Sequence, residues 1–192
     1  MIRYILTVLG LLLAAFVFRQ CIPVIPELYH ARLFLVPLIF ICAAVTLDVV
    51  GMLLLSFVCG LLWDAQHTII PVEGAPEVYP EVTENLKFGC SIFLFAIAGF
   101  VMQGVQPLFQ QGKWHVSVLV TGVALFLYLA VELLLLSFVR GSIIVSQGTF
   151  KFIFFSSAIT MALSPLIFLL LSKFAELYKY QIRYRGLRSN RH

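Results

Sequence analysis

Residues 33–64 read LFLVPLIFICAAVTLDVVGMLLLSFVCGLLWD, and how this stretch folds decides the architecture of the whole chain. Its apolar parts, 33–47 and 49–63, are separated only by Asp48. Taken as one helix they would extend about 46 Å at 1.5 Å per residue, against a hydrocarbon core of about 30 Å. Either one tilted helix carries Asp48 near mid-membrane, or two short helices turn sharply around Leu47, Asp48 and Val49, with Gly51 loosening the turn. A bare acid at the bilayer centre is expensive. The spacing therefore favours the turn, with Asp48 as a turn or surface residue.

Outward from this stretch lie four further apolar segments, 4–18, 88–102, 116–139 and 152–171, each bounded by charge, proline or both. The expected fold is all-α: a polytopic integral membrane helical bundle with five or six transmembrane helices, six if the turn at Asp48 forms. Composition agrees. Of 192 residues, 61% are hydrophobic and 11% charged, and the mean hydropathy is +1.03, whereas soluble domains carry roughly 25% charged residues. The expectation is a single membrane domain over 1–192, which excludes most soluble enzyme classes and a separate nucleic-acid-binding module. Arg3 followed by 4–18 resembles a signal sequence, but Phe18, Arg19, Gln20 and Cys21 supply no small-residue cleavage site, so the segment reads as a retained first span. Cys21, Cys42, Cys59 and Cys90 show no close pairing and read as packing residues.

Charge reports topology. From Asp64 to Glu84 there are only acids, and Pro71, Pro76 and Pro80 break any helix, so 65–85 reads as an acidic external loop. The tail 173–192 is strongly basic and alternates arginines with Tyr178, Tyr180 and Tyr184, which suits contact with anionic lipid headgroups better than nucleic acid. The positive-inside rule puts that tail in the cytoplasm. Counting back, 140–150 lies outside, 106–115 inside and 65–85 outside. Six spans put Arg3 inside; five put it outside. Ser56 and Gly60, four apart, match the small-xxx-small packing pattern, and Pro165 should kink the last span.

Acids within apolar sequence are the candidates for function. Glu132 is the strongest, sitting well inside 116–139, with Tyr128 one turn earlier and Gln103 as possible hydrogen-bond partners. The plainer reading is a protonated structural acid satisfied by such a partner; the alternative is a ligand-binding, proton-linked or partner-contacting role. Asp64 ends a span after Trp63, a residue suited to the membrane interface, and its carboxylate is expected to reach water, with His67 one turn on. Two ligands are too few for a zinc site. His30, His67, His115 and His192 are scattered, and no nucleophile elbow or phosphate-cradling glycine loop occurs. An enzyme is not expected, nor a metal or other cofactor.

With its short spans, the near-fused second and third, the run Gly60-Leu61-Leu62-Trp63-Asp64 and the basic tail, the chain resembles the rod shape-determining protein MreD family. The run looks like that family's glycine, two or three apolar residues, aspartate signature. After Asp64 the chain departs from the family's serine, glycine and proline turn, continuing Ala65-Gln66-His67-Thr68. The resemblance implies a multi-pass protein of the bacterial plasma (inner) membrane, a scaffold that organises peptidoglycan synthesis during cell elongation. Its implied partners are an MreC-like bitopic membrane protein and, indirectly, an MreB-like cytoskeleton and wall polymerases, besides membrane lipids. The family's fold is in turn similar to the substrate-binding subunits of energy-coupling-factor transporters. That supplies a rival expectation: a subunit binding a small, vitamin-type molecule, with Glu132, Gln103 and Asp48 lining a cavity. Asp48, Gly60, Asp64 and Glu132 are the partner or structural candidates.

Overall fold

The computed structural model describes residues 2–21, 33–68, 89–109, 114–140 and 147–178, and all regular structure among them is helical. The helices are α1 (Ile2–Cys21), α2 (Leu35–Thr46), α3 (Val49–Thr68), α4 (Cys90–Phe109), α5 (Trp114–Arg140), α6 (Gln147–Ala162) and α7 (Ser164–Leu177). The described part of each expected apolar segment is helical over most of its length, because a backbone surrounded by hydrocarbon has to satisfy its hydrogen bonds within its own segment. Some boundaries move. Residues 65–68 of the expected external loop belong to α3, and residues 173–177 of the expected tail belong to α7. The rest of the acidic loop, 69–85, and of the basic tail, 179–192, lie outside the described residues.

Among the described residues, three helices are individually long and apolar enough to cross a membrane: α1 over Ile2–Arg19, α4 over Cys90–Pro107 and α5 over Val116–Phe138. A fourth candidate is the pair α6 and α7, bent by 40°. The bend falls at Leu163, just ahead of Pro165 in the first turn of α7. Proline lacks an N–H and its ring displaces the carbonyl one turn back, so the expected kink is here a full break between two helices. The apolar parts of α2 and α3, Leu35–Thr46 and Val49–Ala65, are shorter.

The apolar stretch 33–64 breaks where its acid, Asp48, stands. Leu47 is extended (φ −91, ψ 157), Asp48 is exposed, and α3 begins with Met52 N donating to Asp48 O at 2.8 Å. The two helices then run in opposite directions. Phe34, ahead of α2, stacks near Trp63 at the far end of α3 (6.4 Å between ring centroids), while Thr46 at the end of α2 accepts a hydrogen bond from Tyr4 Oη at 2.9 Å. Gly51 faces Ile5, and Arg19 lies over Trp63, so α1 and α3 are parallel to each other and antiparallel to α2.

Helix α2 is the core. Every residue from Val36 to Thr46 is buried, and the helix touches all the others. A helix that is apolar on all sides belongs inside a bundle. Its C-terminal carbonyls, left unpaired by the break, are taken up by side chains. Gln103 Nε2 donates to the carbonyls of Ala44 and Leu47, both at 2.9 Å, and Gln106 Nε2 to Val45 O at 2.7 Å. At the other end Phe34 N donates to Thr160 Oγ1 at 3.3 Å. Without these partners the break would leave buried polar groups unsatisfied.

Candidate functional site

The last turns of α3 carry the run Gly60-Leu61-Leu62-Trp63-Asp64 against the first turns of α4. Gly60 is buried against α4 so closely that a Cβ placed on it would overlap Ile92 Cα and N. Only glycine permits that approach, which is the close packing expected at Gly60; Ser56, one turn earlier, is buried and its hydroxyl donates to Leu53 O of its own helix at 2.7 Å. The close crossing swings Trp63 inward instead of out to the membrane interface, the position expected from its sequence context. Trp63 is 2% exposed, 6.2 Å from the Phe95 ring in an edge-on arrangement, and Phe95 in turn meets Phe40 (5.0 Å) and Tyr128 (5.1 Å). An indole buried this deeply needs a hydrogen-bond acceptor. Glu132 supplies it: Trp63 Nε1 donates to Glu132 Oε1 at 3.1 Å.

This corrects the partners expected for Glu132. Gln103 is engaged at the end of α2, and the buried Tyr128 hydroxyl has no hydrogen-bond partner among the described residues. A cation stands over the face of the same indole whose edge N–H is bound by Glu132. The Arg19 guanidinium, from the last turn of α1, is 4.2 Å from the Trp63 ring centroid, a cation–π contact. Arg19 and Asp64 both lie near enough to Glu132 to act on it electrostatically.

Asp64, expected to reach water, is instead 5% exposed. Its Oδ2 accepts a hydrogen bond from Gly89 N at 2.6 Å, immediately ahead of α4. An acid there complements the positive end of the α4 dipole. Gly89 has φ +98, a left-handed conformation that glycine adopts without strain. Asp64 thus joins the end of α3 to the start of α4 across the acidic segment between them. The His67 side chain lies outside the described residues, and among those described no cluster of metal-ligating side chains occurs.

The structure therefore brings Gly60, Asp64 and Glu132 to one end of the bundle, joined through Trp63 and Arg19, and leaves Asp48 exposed at the other. The role of Arg19 had a weak signal in sequence, since a lone intramembrane acid calls for a donor or a cation. That the cation comes from α1 and the donor from α3 is a tertiary fact with no spacing to announce it. Fold and cluster together define an all-helical protein of the membrane type, with a buried polar junction near one face. Compared with protein-family models, with curated proteins and with solved structures, the chain has no match. The likeness to the MreD family accordingly rests on the residues quoted for it.

Proposed function

We propose that the chain is a non-enzymatic scaffold of the bacterial cell-elongation machinery, seated in the plasma membrane and organising peptidoglycan synthesis by holding an MreC-like bitopic partner. An MreB-like cytoskeletal protein and wall polymerases would join through that partner. The observation that carries this reading is the use to which the intramembrane polar side chains are put. Gln103 and Gln106 satisfy the end of α2, Asp64 ties α3 to α4, and Glu132 anchors Trp63. Each fixes one helix against another, which is what a rigid platform requires. The rival carrier reading needs Glu132, Gln103 and Asp48 around a common cavity. Instead Gln103 and Asp48 lie at the Thr46 end of the core, Glu132 lies at the Trp63 end, and Asp48 is exposed.

In this reading the chain crosses the membrane six times, with both termini in the cytoplasm. Support comes from Arg3 and Leu6 at the start of α1 lining the same groove as Phe174 and Tyr178 at the end of α7, as an even number of crossings requires. The antiparallel course of α2 between α1 and α3 points the same way. At 12 residues α2 is about 18 Å long, well short of a bilayer core of about 30 Å. Sheathed by protein, it need not match the lipid.

The test is co-purification of the tagged full chain in mild detergent. Recovery of wall-elongation proteins is expected. Recovery of a paired ATPase module, together with a rise in melting temperature on adding a vitamin-like ligand, would replace the scaffold with the carrier.

A further inference from the structure

At the end of the bundle opposite the Trp63 junction, α1 and α7 diverge around a groove of about 560 Å³. Its walls are Leu6, Gly10 and Leu11 on one side and Phe174 and Tyr178 on the other, and Arg3 lies at its terminal end. Thr7 also borders it, but its hydroxyl donates to the carbonyls of Arg3 and Tyr4 at 2.7 and 2.9 Å, so its hydrogen-bonding capacity turns back on its own helix. Gly10 leaves the floor open, since a Cβ there would meet nothing within 4 Å. The groove is thus apolar along its length and cationic at one end.

We propose that this groove binds one anionic glycerophospholipid of the surrounding bilayer, its phosphate at Arg3 and one acyl chain along Leu6, Gly10, Leu11 and Phe174. The polarity gradient matches such a molecule. From Arg3 to Leu11 is about 12 Å along the helix, the distance from a headgroup into the hydrocarbon. An apolar helix of another chain is the other candidate for a groove between helices, but it would bring no anion to Arg3, whereas a phospholipid carries its phosphate at the end where the groove is cationic. A base at the membrane surface favours anionic headgroups, and the aromatic ring of Tyr178 at the same end is suited to the interface. The site does not depend on which protein the scaffold holds, so its failure leaves that reading standing.

The test compares the wild-type full chain with Arg3→Gln, Gly10→Leu and Lys173→Gln, the last removing an exposed base of α7 that does not line the groove. Each is purified in mild detergent from nanodiscs containing phosphatidylglycerol and phosphatidylcholine with identical chains, and retained lipid is counted by native mass spectrometry. The wild type is expected to keep one phosphatidylglycerol in preference to phosphatidylcholine. Arg3→Gln should lower that preference about fivefold. Gly10→Leu, whose Cβ meets nothing within 4 Å and whose side chain extends into the groove, should abolish retention while the protein melts at or above the wild-type temperature. Lys173→Gln should behave as wild type. Retention in Gly10→Leu, or an equal loss in Lys173→Gln, would overturn the site in favour of general surface charge. Displacement of the lipid by inorganic phosphate alone would overturn the lipid assignment.

Discussion

Gly60 and Gly10 are both helical glycines, and the structure gives them opposite responses to the same substitution. An alanine in a helix interior is favoured over glycine by about 1 kcal/mol. At Gly10 nothing opposes that gain, because the added methyl meets no atom within 4 Å. At Gly60 the methyl meets Ile92 Cα and N, backbone atoms of α4 that cannot swing aside as a side-chain tip would. Overpacking of this kind typically costs about 1–3 kcal/mol, and contact with backbone puts Gly60 at the upper end. After the helix gain, Gly60→Ala should lose about 2 kcal/mol, because α3 and α4 have to separate and the Trp63 to Glu132 bond stretches with them. A soluble protein of this size moves about 2–4 °C per kcal/mol, so the two alanine variants should melt roughly 10 °C apart, Gly10→Ala above wild type and Gly60→Ala below. Thermal unfolding in detergent, followed by tryptophan fluorescence in a Trp114→Phe background that leaves Trp63 as the sole tryptophan, reads both the midpoint and the packing of Trp63. A Gly60→Ala variant that melts at or above wild type with unchanged fluorescence would refute the close crossing.

Glu132→Gln keeps an Oε1 acceptor for Trp63 and should leave membrane insertion, folding and function near wild type, whereas Glu132→Leu strands a buried indole N–H and should lose about 1–3 kcal/mol; a folded but inactive glutamine variant would show that the carboxyl has a role beyond anchoring. Gln103→Leu removes both bonds to Ala44 and Leu47 and should destabilise by about 2–4 kcal/mol, read as a lower melting temperature, more than any single lipid-facing substitution such as Phe93→Leu. A cysteine at Glu77 should label with an impermeant thiol reagent from outside the cell; labelling only after permeabilisation would reverse the topology.

Much of the architecture is legible in the sequence because burial in lipid forces apolar runs to be helical, and the described part of each run from Tyr4 onward is so over most of its length. The exposed break at Asp48 and the break ahead of Pro165 follow from single residues whose chemistry is incompatible with continuing helix in hydrocarbon. The junction is less legible. Trp63 reads as an interfacial residue because Trp next to an acid at a span end usually is, and only the glycine-permitted approach of α3 to α4 turns it inward. Gln103 reads as a partner for Glu132 because both are polar residues in apolar helices. It serves the carbonyls of α2 instead because the break at Leu47 creates a nearer demand, which exists only once α2 and α4 have packed.

The scaffold reading is tested most directly by depleting the protein in growing rod-shaped cells and measuring cell width and the pattern of new wall incorporation. Cells are expected to widen and round, with wall synthesis no longer distributed along the cylinder, and re-expression of the wild-type chain should restore both. Cells that keep their width and incorporation pattern after full depletion would contradict a role in elongation.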